Sequence, residues 1–596
     1  MVKETSKFIK KSFDDDRNNI RRIFDYALIT AFLLFLITIT SIKIFGDDDI
    51  FWHLASGRYI VEQGSIPSQE IFGYITAGIK WIPFEWGWEV MTFLIYKSGG
   101  YFALSAVRTF IIVMIFVLFI VYLRRSGISV AFIITIASII ALTILPRFSI
   151  RPQIIYYFFL TALLIMLLYL KNQNKNKRYL YFIIPFMILI WSNMHMGVIL
   201  GMALFFVFII CEIISYYSNI DKSNNQTQKK ELLYLICTFI ISSFCLLINP
   251  FFLDTYIYTY GYMKLDMLHS INEWKSPFDS SVPGSYNNKI YIFFLLSGLI
   301  IIYYSFKKKD YFPALSYIGI SLYSLQSVRY IAEFFIVIFI FWVISLDFIL
   351  NKFSKKIILN FINSNLIFKS IIIIFLIFFT INAYTNKLYK DYFGNYFRET
   401  GIGINDKFFP VQMFDFIKRE NINVIGDKPF NNLKIGGYFI WEFQNSKNFI
   451  DSRDLSDSVY ILYKNIDLKQ AGFEKKIDLI GIDYVLYSVP YLTINATEIE
   501  RNIISYLSRN NDKWKLIFWD DKSFLFVKNV PKFQNIIERY EYKYVSPYNL
   551  IFNRTLLTDG YKNNRETVKN EAKRKISEEP SGIIINEIAK YLNTIN

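Results

Sequence analysis

The feature that most constrains this chain is a series of apolar blocks too long and too unbroken for a water-soluble core. About 20 apolar residues carry a helix across a bilayer, and Tyr26–Phe45, Phe102–Tyr122 and Phe334–Leu350 are blocks of that kind. Of 596 residues, 54% are hydrophobic. A soluble chain of such composition would arrange them in short periodic stripes instead.

Charge fits the same reading. The net charge of +16 lies largely in short clusters between apolar blocks, at Lys10–Lys11, Arg21–Arg22, Arg124–Arg125, Lys171–Arg178, Lys229–Lys230, Lys307–Lys309 and Lys352–Lys356. Cytoplasmic loops retain cations in this way. With no basic face and no base-reading motif, nucleic acid is excluded as a partner. Cys211, Cys237 and Cys245 all fall within apolar blocks, so neither a disulfide framework nor a CxxC motif exists. The N-terminus runs from a polar stretch into an overlong apolar block without a small-residue cleavage site, which predicts an uncleaved first span.

The blocks predict eleven spans, at 24–45, 101–123, 128–145, 152–170, 178–193, 197–217, 231–249, 288–306, 311–327, 330–350 and 367–384. With the N-terminus inside, the cationic loops at 124, 171–178, 222–230, 307–310 and 351–356 are all inside. An odd number of spans then puts everything after 384 outside. The expected fold is an α-helical polytopic protein of the plasma membrane, surrounded by its lipids, with a C-terminal extracytoplasmic α/β domain. Its parts are a cytoplasmic arm (1–23), a transmembrane domain (24–384) with a long first outer loop (46–100), the α/β domain (385–532) and a polar, mostly helical tail (533–596).

Within the first outer loop, residues 49–63 read as a short helix lying along the interface, stopped by Gly64-Ser-Ile-Pro67. Trp81, Trp86 and Trp88 suit headgroup depth. After 384, Phe409–Lys418 and Glu498–Leu507 read as helices. Tyr438–Phe443 reads as a strand or helix edge, Asn448–Asp451 as a short strand and Ile482–Ser488 as a buried strand. Trp514–Trp519 and Ser523–Lys528 flank Asp520-Asp521-Lys522 as a hairpin.

Sorting polar residues by predicted side isolates the chemistry. The outer face collects Asp47, Asp48, Asp49, His53, Arg58, Glu85, Glu89, Arg147, Arg151, Gln153, Asn193, His195, His269, Glu273 and Arg329, with Glu333 just inside. All three histidines are among them. A scaffold has no need of that asymmetry, whereas a site assembled from several outer loops produces it. Asp49 and His53 share a helical face, as do Glu85 and Glu89. A carboxylate at Asp47 or Asp49 suits a general base toward a hydroxyl, a ligand of a hard cation, or simply a helix-start cap. Arg147 and Arg151 flank Pro152 at a span end, placed either to clamp a phosphate or to snorkel to headgroups. Asn193 and His195 occupy a very short turn. Arg329 and Glu333, four apart, are also placed to pair with each other. Arg108, in the outer third of a span, is costly there and therefore a functional candidate. No charge lies near any span's midplane, and Walker, GxSxG, HExxH and GxGxxG motifs are absent. Ion-coupled or ATP-driven transport and serine or zinc hydrolysis lose their ground.

These residues together resemble a known group. Asp47-x-Asp49-x-Phe-Trp-His53-Leu-Ala-Ser-Gly57, Gly64-x-Ile-Pro67 and Glu85-Trp-x-x-Glu89 are similar to the opening loop of a bacterial and archaeal family of GT-C type membrane glycosyltransferases, relatives of protein mannosyltransferases and oligosaccharyltransferases. Arg151-Pro-Gln153, Asn193-x-His195-x-Gly197, Asn249-Pro250, Glu273-Trp-x-Ser-Pro277, Gly436-Gly437-Tyr-Phe-Ile-Trp441 and Phe449-Ile-Asp451-x-Arg453 resemble its later signatures. Phe84 stands where the family has histidine. The resemblance implies an inverting transferase that moves a sugar from a polyprenyl-phosphate donor to an extracytoplasmic glycan, lipid or protein. It implies Asp47 and Asp49 as catalytic carboxylates. The substrate-binding set would be His53, Glu85, Glu89, Arg108, Arg147, Arg151, Gln153, Asn193, His195, Glu273 and Arg329. A divalent cation (Mg or Mn), on Asp47 and Asp49, serves one branch of the group and is dispensable in another. A non-catalytic glycan-binding descendant and a lipid or polysaccharide transporter are the alternatives.

Overall fold

The computed structural model describes residues 2–46, 48–171, 177–218, 225–282, 288–353 and 365–595. The chain divides into two compact units: unit 1 comprises Met1–Ile44, Phe84–Lys264 and Leu268–Gly403, and unit 2 comprises Phe45–Pro83, Leu265–Met267 and Ile404–Asn596.

Unit 1 is helical, as a chain in hydrocarbon must be to satisfy its own backbone polar groups. Seven of its helices are long and apolar enough to cross a membrane: Asn19–Thr40, Trp86–Arg125, Gln153–Lys171, Val198–Ser218, Lys289–Lys308, Val328–Lys352 and Leu366–Tyr384. Val130–Thr143 and Leu180–Ser192 are shorter apolar helices. The remaining two predicted spans fall on Asn225–Cys245 and Phe312–Ser324.

The first span ends earlier than its apolar block. After Thr40 the chain turns extended, and Ile42 pairs with Thr400. The second is preceded by a helical stretch from Trp86, separated by a kink at Gly99 and Gly100, where Gly100 has φ +58°. Only a residue without Cβ adopts that conformation cheaply.

Unit 2 holds a four-stranded sheet in the order β1-β2-β4-β3, from Pro429–Asn431 (β1), Tyr484–Ser488 (β2), Trp514–Asp520 (β3) and Ser523–Lys528 (β4). β1 and β2 are parallel, and the other pairs are antiparallel. The predicted buried strand and hairpin are β2 and β3–β4. The helix expected at Glu498–Leu507 is instead two, Ala496–Arg501 and Ile503–Arg509, broken at Asn502, whose side chain caps the second.

Of the two readings open for Tyr438–Phe443, the helix holds, over Leu433–Glu442. Other expectations are corrected. The short strand expected at Asn448–Asp451 is extended chain with one bridge, Gly73 to Asn448. The helix Asp49–Gln63, ended by left-handed Gly64 as expected, packs in the interior of unit 2 rather than along an interface. Its Phe51 ring lies 4.7 Å from Tyr438 and 5.0 Å from Phe409. Trp81 and Trp88 are likewise buried. The polar tail packs on the sheet. Trp519 donates its indole N–H to the Val545 carbonyl, Asp521 caps Ile583 and Ile584, and Tyr542, Leu557, Val568 and Ile588 share the core of β2–β4.

The paired glycines have a packing reason. A Cβ on Gly436 would sit 1.9 Å from the Ile450 carbonyl oxygen and 2.8 Å from the Asp451 Cα, both backbone atoms. Gly436→Ala is expected to cost about 3 kcal/mol and lower the unfolding temperature followed by tryptophan fluorescence. Gly319→Ala, in a helix where nothing lies within 4 Å, should leave it unchanged or raise it. Equal behaviour of the two would show that the contact at Gly436 is not tight.

Candidate functional site

In unit 1 the arginines expected at a span end converge on one carboxylate. Arg147 closes a short 3-10 turn, Leu145–Arg147, and Arg151 precedes the helix that opens at Gln153. Glu273, in the turn Asn272–Trp274, accepts from Arg147 Nη1 at 2.9 Å and lies 3.6 Å from Arg151 Nη1. Arg329 stacks over Trp274 with its guanidinium carbon 4.2 Å from the ring centre. Ser327 ties the turns together, donating to the Glu273 carbonyl at 2.6 Å. Arg147, followed by Arg151 and Arg329, holds the Glu273 carboxyl far below its ordinary range despite burial that would raise it. Burial alone would weaken the Arg147 cation, and Glu273 outweighs that. Glu273 thus gathers the positive charge of Arg147, Arg151 and Arg329 in one place.

Below this cluster lie polar atoms that the protein does not satisfy. Arg147 Nη2, Gln153 Oε1, Tyr156 Oη and Glu333 Oε2 are buried without a hydrogen-bond partner among the described residues. Glu333 is within electrostatic reach of Arg147, Arg329, Tyr156, Tyr157 and Tyr323, and Tyr323 stacks on Tyr330 at 4.0 Å. Buried polar groups are normally paired, so four orphans in one cluster mark a place where a polar ligand or water completes the bonding. Tyr156, Tyr157, Tyr323 and Tyr330 were not singled out from the sequence. The available signal was the three-residue step from Gln153 to Tyr156 along one helix face.

Tyr156 also stacks on His195, with centroids 4.9 Å apart and planes 7° apart. The His195 Nδ1 accepts from the Gly197 N–H at 2.8 Å, which leaves its proton on Nε2, 3.5 Å from a Glu85 oxygen. Gly197 is required there: a Cβ would meet the Tyr156 ring at 2.5 Å. Asn193 is a stitch between elements. It accepts from Trp86 Nε1 and donates to the Leu189 and Ile248 carbonyls, each at 2.9 Å. Arg108 is buried and donates to the Ile42 carbonyl at 2.6 Å, holding the extended chain after the first helix. Glu89 is fully buried, and His269 is exposed.

In unit 2, Asp47 lies outside the described residues. Asp49 starts its helix and accepts from Ser452 Oγ at 2.6 Å and Trp52 Nε1 at 3.3 Å. His53 is buried, with its ring 3.6 Å from that of Trp52. Arg58 stacks on Trp441 at 4.6 Å. Nearby, Arg453 forks onto two carboxylates. Its Nε and Nη2 reach the two Asp451 oxygens at 2.8 and 2.6 Å, and its Nη1 and Nη2 reach the two Glu70 oxygens at 2.5 and 2.9 Å. Phe72 and Trp81 rings flank the guanidinium at 5.0 and 4.7 Å. Burial would raise the Asp451 carboxyl, yet Arg453 takes it below its ordinary value. Glu70 is a site residue that the sequence did not mark. Among the described residues no three His, Cys, Asp or Glu side chains come together as metal ligands.

With its long apolar helices and a small sheet-bearing unit, the chain is a multi-pass membrane protein of the GT-C fold, as two solved structures show. It is similar to the oligosaccharyltransferase of Archaeoglobus fulgidus in the apo form, at 11% identity over 78% of this chain and 69% of that one, with a TM-score of 0.54. It is also similar to the archaeal oligosaccharyltransferase AglB from Archaeoglobus fulgidus in complex with an inhibitory peptide and a dolichol-phosphate, at 10% identity over 86% and 75%, with a TM-score of 0.53. The likeness is one of fold. No family model and no curated protein matches the chain.

Proposed function

We propose that this chain is an integral membrane glycosyltransferase that takes a sugar from a polyprenyl-phosphate-linked donor and passes it to an extracytoplasmic glycan, lipid or protein. The observation that carries the reading is the unit 1 cluster, in which Arg147, Arg151 and Arg329 gather at Glu273, with buried polar atoms that lack a hydrogen-bond partner among the described residues. Such a group of preorganised cations suits a leaving phosphate whose charge grows as its bond to the sugar breaks. A GT-C fold shared with oligosaccharyltransferases, one of them bound to a dolichol-phosphate, supports the same chemistry. So does the resemblance of Asp47-x-Asp49-x-Phe-Trp-His53 to the opening loop of GT-C glycosyltransferases. The cation clusters between spans support a cytoplasmic N-terminus and an extracytoplasmic C-terminal unit.

The roles divide by residue type. The acceptor oxygen forms its bond to the anomeric carbon from the face opposite the phosphate, inverting that centre. The carbon–oxygen bond to the phosphate breaks with its electron pair going to the lipid phosphate, which Arg147, Arg151 and Arg329 stabilise. The resemblance of the opening loop supports Asp47 or Asp49 as the carboxylate that takes the acceptor proton, and the Ser452 hydroxyl bond orients that of Asp49. Tyr156, Gln153 and Glu333 offer hydrogen bonds and an aromatic face to a sugar. A divalent cation, if used, would be held by Asp49 together with Asp47, which lies outside the described residues.

The test is transfer of radiolabel from a polyprenyl-phosphate sugar by the purified chain in lipid nanodiscs, with a cell-envelope extract as acceptor. Asp49→Asn is expected to cut transfer by more than about 100-fold, the scale of a lost general base, with donor binding unchanged. Transfer at the wild-type rate by Asp49→Asn would remove that residue from the chemistry.

A further inference from the structure

We infer that the spans Lys289–Lys308 and Val328–Lys352 of unit 1 together bind one anionic phospholipid, its phosphate on Lys307, Lys308 and Lys352 and its acyl chains along the first of the two spans. The site is separate from the arginine cluster. Arg329 and Lys352 stand at opposite ends of a span of 25 residues, about 37 Å of helix. It holds whether or not the chain transfers sugar.

The two spans pack against each other, and one tyrosine joins their ends. The centre of the Tyr303 ring lies 5.9 Å from Lys307 Nζ and 5.7 Å from Lys352 Nζ, and its hydroxyl accepts from Lys352 Nζ at 3.2 Å. Lys308 Nζ lies 5.0 Å from the centre of the Phe348 ring. Other cations between spans are neutralised, Lys171 by Asp310 and Arg178 by Glu231. Lys307 and Lys308 make no ion pair among the described residues. The acids close to them in the chain pair are engaged: Asp310 holds Lys171, and Asp347 accepts from Asn351 Nδ2 at 3.0 Å. A helix C-terminus carries about half a negative charge, so the two ends together offset about one lysine, while Lys307 and Lys308 bring two. Retention of cations by cytoplasmic loops accounts for the lysines being there. It does not account for their being held by rings instead of acids.

The surface along the first span selects a lipid over a free anion. Phe293, Leu296, Leu299 and Phe306 are each more than half exposed. Their steps of three and seven residues set them on one stripe with Tyr303, and that stripe leads to Lys307. A phosphodiester on the lysines therefore continues into acyl chains on an apolar track, which inorganic phosphate cannot use. A zwitterionic headgroup brings a cation of its own to the lysines and is disfavoured.

The test is native mass spectrometry of the full chain in detergent, titrated separately with phosphatidylglycerol and with phosphatidylcholine of the same acyl chains. Wild type should bind its first phosphatidylglycerol about 10- to 30-fold more tightly, the worth of two lysines at an anionic lipid surface. Lys307→Gln/Lys308→Gln should remove most of that difference. Lys229→Gln/Lys230→Gln, which deletes the same charge from another exposed span end, should keep it. Tyr303→Leu leaves every charge in place and should weaken phosphatidylglycerol about two- to five-fold, because the ring no longer holds two lysines together. Equal binding of the two lipids, an equal loss in Lys229→Gln/Lys230→Gln, or undiminished binding in Lys307→Gln/Lys308→Gln or in Tyr303→Leu would overturn the site and leave a diffuse attraction between cations and anionic lipid. Displacement of the lipid by an equal concentration of inorganic phosphate would overturn it in favour of a free anion. Should Tyr303→Leu fail to fold, the two lysine variants still decide.

Discussion

Replacing Arg453 with leucine is expected to destabilise unit 2 by about 3–5 kcal/mol, the range for removing one partner of a buried ion pair. The loss is large because the guanidinium serves two buried carboxylates at once. Without it Glu70 and Asp451 stay buried, and the Phe72 and Trp81 rings lose the group they flank. Lysine should rescue only in part, since a point charge cannot reproduce four forked bonds. The effect carries a pH signature. In wild type the Asp451 carboxyl is depressed, so its stabilisation is complete above the unfolded value of about 4 and is lost only in stronger acid. In Arg453→Leu the same carboxyls, desolvated and unpaired, are raised above their unfolded values. Their cost is full at neutral pH and shrinks as pH falls toward about 4. Hydrogen exchange over residues 70–81 and 448–454 should report the loss. Unchanged protection in Arg453→Leu would mean that the network does not hold this unit together.

The second large effect is expected at Arg147. Arg147→Ala removes the guanidinium that both pairs most closely with Glu273 and sends Nη2 into the unsatisfied cluster. Transfer from the lipid donor should fall about 10²- to 10³-fold, the measured scale for deleting one preorganised donor at a developing anion. Arg147→Lys should fall between that variant and wild type, because charge returns without the fork. Glu273→Gln should behave differently. It leaves all three arginines but frees them from their anchor, so donor binding should tighten while turnover drops. Initial rates over a range of donor concentrations separate the two patterns. Arg147→Ala turning over at the wild-type rate would deny the cluster a role.

Much of this fold is legible in the sequence, because a lipid environment leaves the backbone few options. Each predicted span falls on a helix, and unbroken apolar runs bounded by lysine are sufficient to find them. The open readings and the misreadings have local causes. The run from Gly436 to Trp441 is apolar on every side, and at that length a buried strand and a buried helix look alike. The helix Asp49–Gln63 carries polar residues that suggest an interface, yet its Ile50, Phe51 and Leu54 are buried in a soluble-type core. The tail reads as polar because its apolar positions, such as Leu557 and Val568, are widely spaced, as they are on helices with one buried face.

The sites divide in the same way. Sorting residues by membrane side brings Arg147, Arg151, Glu273 and Arg329 into one group, but nothing local pairs Arg147 with a glutamate 126 positions away. Arg453 and Asp451 stand in a recognisable motif, whereas Glu70, 383 positions from its arginine, has no pattern around it. The histidine and asparagine of the short turn are placed by their partners. His195 faces Glu85 and Tyr156, while Asn193 spends its amide joining helices.

The central claim is that the arginine cluster of unit 1 receives the phosphate of a lipid-linked donor. The most direct measurement is photo-cross-linking of a polyprenyl phosphate carrying a diazirine beside its headgroup to the chain in nanodiscs, with the labelled peptides identified by mass spectrometry. The account predicts label on residues 147–157 or 271–275, displaced by unlabelled polyprenyl phosphate and lost in Arg147→Ala. Label confined to other segments, or label there that unlabelled polyprenyl phosphate does not displace, would contradict it.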